Sequence, residues 1–201
     1  MGKVVKKIVL TGGPCAGKSS SLELIKDYLN NKNYLIYVVQ ESATELINSG
    51  IKPFGNDSID LLNFQDILLK YQINKESLIE NVAIEYKTNK DIVIIYDRGI
   101  NDYKAYIGQK DYDELLSKYK LEEKDILNRY DLVIHLETAA KNIDYTTENN
   151  KARSEDKKEA IELDEKTFKA WSNHNNLIKI SAYDNFLDKQ KEIISVIEKN
   201  I

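Results

Sequence analysis

The feature that most constrains this chain is one octapeptide, Gly12-Gly13-Pro14-Cys15-Ala16-Gly17-Lys18-Ser19, together with what flanks it. It satisfies the spacing G-x-x-x-x-G-K-[ST]. The short apolar run Val4 to Leu10 precedes it, and Ser19 to Leu29 follows, with Leu22, Ile25 and Leu29 at helical intervals. Strand, glycine turn and helix form the context in which that spacing has a mechanism. The glycines let successive amides curl round a phosphate, and the helix N-terminus adds partial positive charge. Lys18 is placed to reach the β- and γ-phosphates, and Ser19 to ligate Mg²⁺. Gly12, Gly13, Pro14, Cys15, Ala16, Gly17, Lys18, Ser19 and Ser20 are therefore the candidate residues for holding a nucleoside triphosphate, ATP or GTP.

The rest of the chain repeats the same alternation. Tyr34 to Val39, Asp91 to Tyr96, Leu132 to Leu136 and the shorter Leu177 to Ile180 read as buried strands. Helical spacing runs from Ile59 to about Lys87, from Lys157 to Asn173 and from Asp184 to Asn200. Strands that are apolar throughout and alternate with helices predict a parallel sheet covered on both faces, a three-layer α/β fold with about five strands. Ligands of such folds gather at the carboxyl ends of the strands. At 201 residues, with no repeat and no Pro/Ser-rich linker, one domain spanning 1–201 is expected. Two polar, breaker-rich stretches, Asn48 to Ser58 and Asp144 to Asp156, are candidate loops over a site.

Composition narrows the partners. The net charge is −4, from 33 acidic against 29 basic residues, which offers no general cationic field for a nucleic-acid polymer. No apolar run approaches the roughly 18 residues a bilayer span needs. The opening segment is too short in apolar residues for a signal peptide, and the lone Cys15 leaves no internal disulfide, so a cytoplasmic location is expected.

Only three arginines occur, Arg98, Arg129 and Arg153, in a chain otherwise rich in lysine. A planar fork grips phosphate bidentately where lysine acts as a point charge. Arg98 follows the third strand in Tyr96-Asp97-Arg98-Gly99. Asp97 there is a candidate for holding Mg²⁺ through water, with helix capping as the structural alternative. Arg98 is placed to neutralise phosphate charge. Gln40-Glu41-Ser42 ends the second strand, making Glu41 the candidate general base for an acceptor hydroxyl, while Ser42 and Glu45 read as a capping box. Arg153 is a candidate lid arginine. Gln65 and Gln72, seven residues apart, share a helix side and could read a polar acceptor, though solvated glutamines are common. Asp102, Tyr103 and Tyr106 suit a pocket wall or ordinary packing. His135 and His174 lack zinc spacing and read as structural, and Cys15 has no His partner that would make it catalytic.

The ordered set of these segments resembles a family. It comprises Gly12 to Ser19, Gln40 to Thr44, Gly50 to Phe54, Phe64-Gln65, Asp97-Arg98-Gly99 with Asp102, and Arg129-Tyr130-Asp131. It continues through His135-Leu136, Ala139-Ala140, Arg153-Ser154-Glu155, Leu163-Asp164, Trp171 and His174. The set is similar to P-loop proteins of the nicotinamide-riboside-kinase-like and TRPL translocation defect nucleotide-binding-domain family, an AAA-type, ATPase-like kinase domain. The resemblance implies a nucleoside-kinase-like fold with five parallel strands and a lid, binding ATP or GTP with Mg²⁺. It also implies one of two activities, phosphoryl transfer to a small nucleoside-like acceptor or a nucleotide-dependent switch with slow hydrolysis. No N-K-x-D guanine reader stands at the spacing such a motif needs, so base preference stays open, as does oligomeric state.

Overall fold

The computed structural model describes residues 2–141, 157–183 and 185–201. Five strands, β1 (Val5–Gly12), β2 (Leu35–Val39), β3 (Ile92–Asp97), β4 (Leu132–Leu136) and β5 (Leu177–Ile180), form one parallel sheet in the order β2-β3-β1-β4-β5. Among the described residues seven α-helices flank it: α1 (Lys18–Asn31), α2 (Ser42–Asn48), α3 (Leu61–Glu85), α4 (Lys104–Lys118), α5 (Glu123–Leu127), α6 (Lys157–Ala170) and α7 (Phe186–Asn200). The expected α/β sandwich is what the chain forms, with each strand within two residues of its expected bounds. The stretch expected to be helical from Ile59 is one uninterrupted 25-residue helix.

The apolar character of the strands follows from their burial on both faces. In β3, Ile92, Ile94 and Tyr96 join a cluster with Phe64, Leu68, Tyr112 and Trp171, beneath α3, α4 and α6. Val93 and Ile95 turn the other way, toward Ile25, Leu29, Ile193 and Ile197 of α1 and α7. Successive strand side chains point to opposite faces, so a strand covered on both sides shows no alternation.

The strand order decides where chemistry can happen. β1 leads across β3's place to β2 by way of α1 on one face. β3 leads past β1 to β4 by way of α4 and α5. The carboxyl ends of β1 and β3 therefore open on a crevice between oppositely directed connections, where open α/β sheets bind ligands. Leu10 of β1 pairs with Asp97 of β3, so the two strands deliver the glycine turn and the Asp97-Arg98 pair side by side.

Gly99 lets the chain leave β3 against the core. A Cβ there would come within 2.7 Å of the Trp171 ring. The Trp171 indole N–H donates to Asp102 Oδ1 at 2.7 Å, and the ring packs edge-on against Tyr130 with centroids 5.6 Å apart. Asp102 also accepts from the Thr11 hydroxyl at 2.6 Å and, through Oδ2, from the Gly99 amide at 3.2 Å. Of the two roles open to it in the sequence, Asp102 takes the internal one. It is a fully buried carboxylate joining β1, the 3₁₀ turn Ile100–Tyr103 and the segment after α6.

Candidate functional site

The turn after β1 runs directly into α1. Gly17 adopts φ 80° just ahead of Lys18, the first residue of the helix, and Cys15 has φ 54°. Alternating signs of φ over consecutive residues turn successive amides inward to form a concave anion-binding nest. Lys18 is buried, and its Nζ donates to the carbonyls of Gly12 at 3.2 Å and Gly13 at 3.1 Å, which holds the ammonium over the mouth of the loop. Ser19 and Ser20 stand exposed on the first turn of α1.

Asp97 closes β3 across from Leu10. Its Oδ1 is buried and has no hydrogen-bond partner among the described residues. Burial, followed by the nearby charge of Glu41, raises the Asp97 pKa, with Lys18 and Arg98 opposing. An oxygen-only donor on the strand next to the phosphate-binding turn, with a serine hydroxyl on the first turn of α1, fits Mg²⁺, which takes few protein ligands and keeps water and phosphate oxygens. Ser19 and Asp97 are the residues that would hold it, and the bound ion would neutralise charge on the phosphates. The orphaned Oδ1 favours this role over helix capping.

Arg98 is buried and sits at φ 70°. Its Nε donates to Glu41 Oε1 at 2.5 Å, and its Nη1 to the Gly12 carbonyl at 3.2 Å. Burial works against the guanidinium charge, but Tyr106, Glu41 and Asp102 outweigh it and push the pKa further up. The fork thus spans the crevice from the end of β2 to the turn after β1. Glu41 Oε2 accepts from the Thr44 hydroxyl at 2.7 Å.

The capping box expected at Ser42 is not what starts α2. Glu41 occupies the cap position, because the first intrahelical bond runs from Glu45 N–H to the Glu41 carbonyl at 3.3 Å and Ser42 is already helical and buried. Glu45 turns to Lys75 as an ion pair and accepts from the Tyr71 hydroxyl at 3.2 Å. The functional and capping assignments therefore meet in one residue, Glu41, whose backbone starts the helix while its carboxylate faces Arg98.

Both glutamines singled out in α3 are buried. Gln72 is committed internally: its amide donates to Glu76 Oε1 at 2.8 Å and to the Arg98 carbonyl at 3.2 Å, and its oxygen accepts from the Tyr103 hydroxyl. Gln65, two turns earlier on the same stripe, carries an Oε1 with no partner among the described residues. Tyr106 is exposed, at 41%. The Arg153 assignment, with the Asp144 to Asp156 loop, lies outside the described residues.

Glu76 and Thr138 carry no functional signal in the sequence. Glu76 is fully buried. It accepts from Arg129 Nε at 3.2 Å and from the Tyr130 hydroxyl at 3.1 and 3.2 Å, so Arg129 serves a buried network. Burial pushes its carboxyl up to about 7, against the pull of Arg129, Gln72 and Tyr130. A carboxyl raised in the fold keeps its full stabilising contribution below the unfolded value and loses it as pH rises through the folded value. Relative to Glu76→Gln, the wild-type protein is expected to lose up to about 3 kcal/mol of stability between pH 5 and 8. Urea titrations of both proteins across that range check this, and a flat difference would show that Glu76 does not titrate there.

Thr138, Asp164 and Lys189 surround the glycine turn from outside it. The Gly13 amide donates to Asp164 Oδ1 at 2.9 Å, Thr138 Oγ1 to the Pro14 carbonyl at 2.6 Å, and Lys189 Nζ to the Ala16 carbonyl at 3.0 Å. His135 lies wholly buried in β4, its Nε2 3.2 Å from Asp164 Oδ1 but not aligned as a hydrogen bond. His174 Nε2 pairs with the Tyr130 carbonyl at 3.0 Å, and its Nδ1 accepts from the Asn176 amide at 3.1 Å. One sequence signal did mark Lys189. It shares the apolar stripe of α7 with Ile193, Val196 and Ile197, an unusual place for a lysine.

A parallel sheet in this order, with a phosphate-binding turn feeding a helix and a carboxylate on the adjacent strand, defines a nucleotide-binding domain of the P-loop NTPase type. Residues 7–184 match the family described as AAA domain, and the chain belongs to that family. No curated protein matches the chain. Among the described residues no helix is long and apolar enough to cross a membrane.

Proposed function

We propose that this chain is a Mg²⁺-dependent phosphotransferase that moves the γ-phosphoryl group of ATP or GTP to the hydroxyl of a small, nucleoside-like acceptor. The observation that carries this reading is the Arg98 fork, which joins the Glu41 carboxylate to the Gly12 carbonyl across the mouth of the crevice. A simple nucleotide holder needs the turn and Lys18. It has no use for a carboxylate poised beside an arginine at the place where an acceptor would enter.

In this reading the acceptor oxygen attacks the γ-phosphorus, a new O–P bond forms, and the bond from phosphorus to the β,γ-bridging oxygen breaks to release the nucleoside diphosphate. Glu41 takes the hydroxyl proton. Lys18 and Arg98 hold the charge that spreads over the phosphoryl oxygens, as positioning and electrostatics dominate phosphoryl transfer. Arg153 is assigned the same task from the lid. The buried Gln65 Oε1, which has no partner among the described residues, supports an acceptor carrying hydrogen-bond donors. The resemblance to nicotinamide-riboside-kinase-like proteins points to the same acceptor class.

The test is Mg²⁺-dependent consumption of ATP and of GTP, with and without a panel of nucleosides and nucleotides, comparing the intact protein with Lys18→Ala. Consumption that rises at least tenfold with one acceptor and disappears in the variant is the expected result. Tight binding with slow turnover that no acceptor stimulates would replace this reading with a nucleotide-dependent switch.

A further inference from the structure

Nearly every carbonyl of the turn is held: those of Gly12 and Gly13 from the crevice side, and those of Pro14 and Ala16 from outside the turn. Gly12 O receives Arg98 and Lys18, Gly13 O receives Lys18, and Pro14 O receives Thr138. Ala16 O receives Lys189, and Gly17 O receives the Ser21 amide at 3.0 Å and hydroxyl at 2.8 Å. No described peptide bond is cis. In a planar trans peptide the carbonyl of one residue and the amide of the next point in opposite directions. Holding the Pro14 carbonyl outward therefore turns the Cys15 amide inward, and holding the Ala16 carbonyl does the same for Gly17.

We propose that Thr138 and Lys189, both outside the turn, are positioning residues that set the direction of the Cys15 and Gly17 amides and so determine how tightly the turn grips phosphate. Asp164 has the converse role, because it takes the Gly13 amide and withdraws that donor from any ligand. This inference rests on the reading of the turn as a phosphate cradle and says which side chains make it one.

The clamps are themselves fixed. Thr138 is fully buried, its amide donates to Asp164 Oδ1 at 3.2 Å, and its hydroxyl also accepts from the Ala140 amide at 3.3 Å. Lys189 is 6% exposed and holds a second carbonyl, that of Glu137, at 3.1 Å. Burial lowers the Lys189 pKa, against the opposing charges of Asp164, Glu137 and Glu192. Glu137 is anchored in turn by Lys179 at 2.7 Å, Lys141 at 3.0 Å and the Ala182 amide at 3.1 Å. A buried ammonium directly behind the turn adds positive potential to the same amides. The segment after β4 and the first turn of α7 thus both reach the turn, at the Pro14 and Ala16 carbonyls.

Calorimetric titration with Mg²⁺ and the nonhydrolysable β,γ-imido analogues of ATP and GTP tests this in the intact protein. Thr138→Val keeps the shape of the side chain and removes the hydroxyl, and is expected to weaken binding about tenfold, while Thr138→Ser restores it. Lys189→Met is expected to weaken binding more than Lys189→Gln, which keeps a donor for the Ala16 carbonyl. A purely structural role would lower the melting temperature of Thr138→Val without changing its affinity, and that result would overturn the proposal. Amide exchange on the wild-type protein gives an answer even where a variant does not fold. Gly13 should be protected before nucleotide is added, and Cys15 and Gly17 only after. Protection of Gly13 that depends on nucleotide, or none gained at Cys15 and Gly17, would overturn the assignment. A wild-type protein that binds neither analogue would overturn the cradle reading and this inference together, whereas unchanged affinity in both variants would overturn this inference alone.

Discussion

Glu41→Gln is expected to lower acceptor-dependent turnover by about 10²- to 10⁴-fold, the range a positioned general base contributes, while nucleotide binding persists. The variant keeps the shape and one of the two hydrogen-bonding oxygens. The Gln oxygen can still accept from Arg98 Nε, and its amide can turn toward Thr44, so the fork stays in place. What disappears is the capacity to take a proton. Full turnover in Glu41→Gln would mean that the carboxylate serves only to hold Arg98 and Thr44. Steady-state rates at saturating nucleotide, with thermal melting as a control for folding, separate those outcomes.

Arg98→Lys is expected to cost about 10²- to 10³-fold in turnover, comparable to losing one preorganised donor aimed at developing charge. Lysine keeps a positive charge, and like arginine it carries a Cβ at φ 70°, so backbone strain does not change between them. It cannot keep two contacts in a fixed fork, one to Glu41 and one to the Gly12 carbonyl. The loss should therefore fall mainly on the chemical step. If nucleotide affinity drops by the same factor as turnover, Arg98 acts by shaping the turn through Gly12 and not on the transferring group. Arg98→Lys melting close to wild type would show that the fork is there for function, since a buried pair kept only for stability would be missed in the melt.

The octapeptide was legible because each of its residues has a local job, and local jobs leave fixed spacings. The sheet was legible because burial on both faces makes strands uniformly apolar. Glu41 and Arg98 could each be placed at a strand end, yet their contact was not, since 57 residues separate them and side-chain pairing across a sheet has no sequence period. The same holds for Asp164 against Gly13, which lie 151 residues apart. Serine is a favoured cap residue, so the sequence points to Ser42, whereas Glu41 fills that position with its carboxylate drawn to Arg98. Gln72 could be read from the sequence either as an acceptor reader or as a solvated glutamine, and Glu76 carries no signal there; only tertiary packing turns them to Arg98, Tyr103 and Arg129.

The division of the two faces of the sheet has a practical consequence. The phosphate-holding turn is continuous with α1 and braced from α7 on one side of the sheet, with Asp164 of α6 reaching its Gly13 amide from the other. Gln65, Tyr103 and Tyr106 belong to the elements packed on the other side. On the proposed reading, exposed positions of α3 such as Leu61, Leu62 and Ile67 could be varied to retarget the acceptor, with Gln72 kept because it holds the Arg98 carbonyl. On that reading the architecture separates a constant power supply from an exchangeable tool.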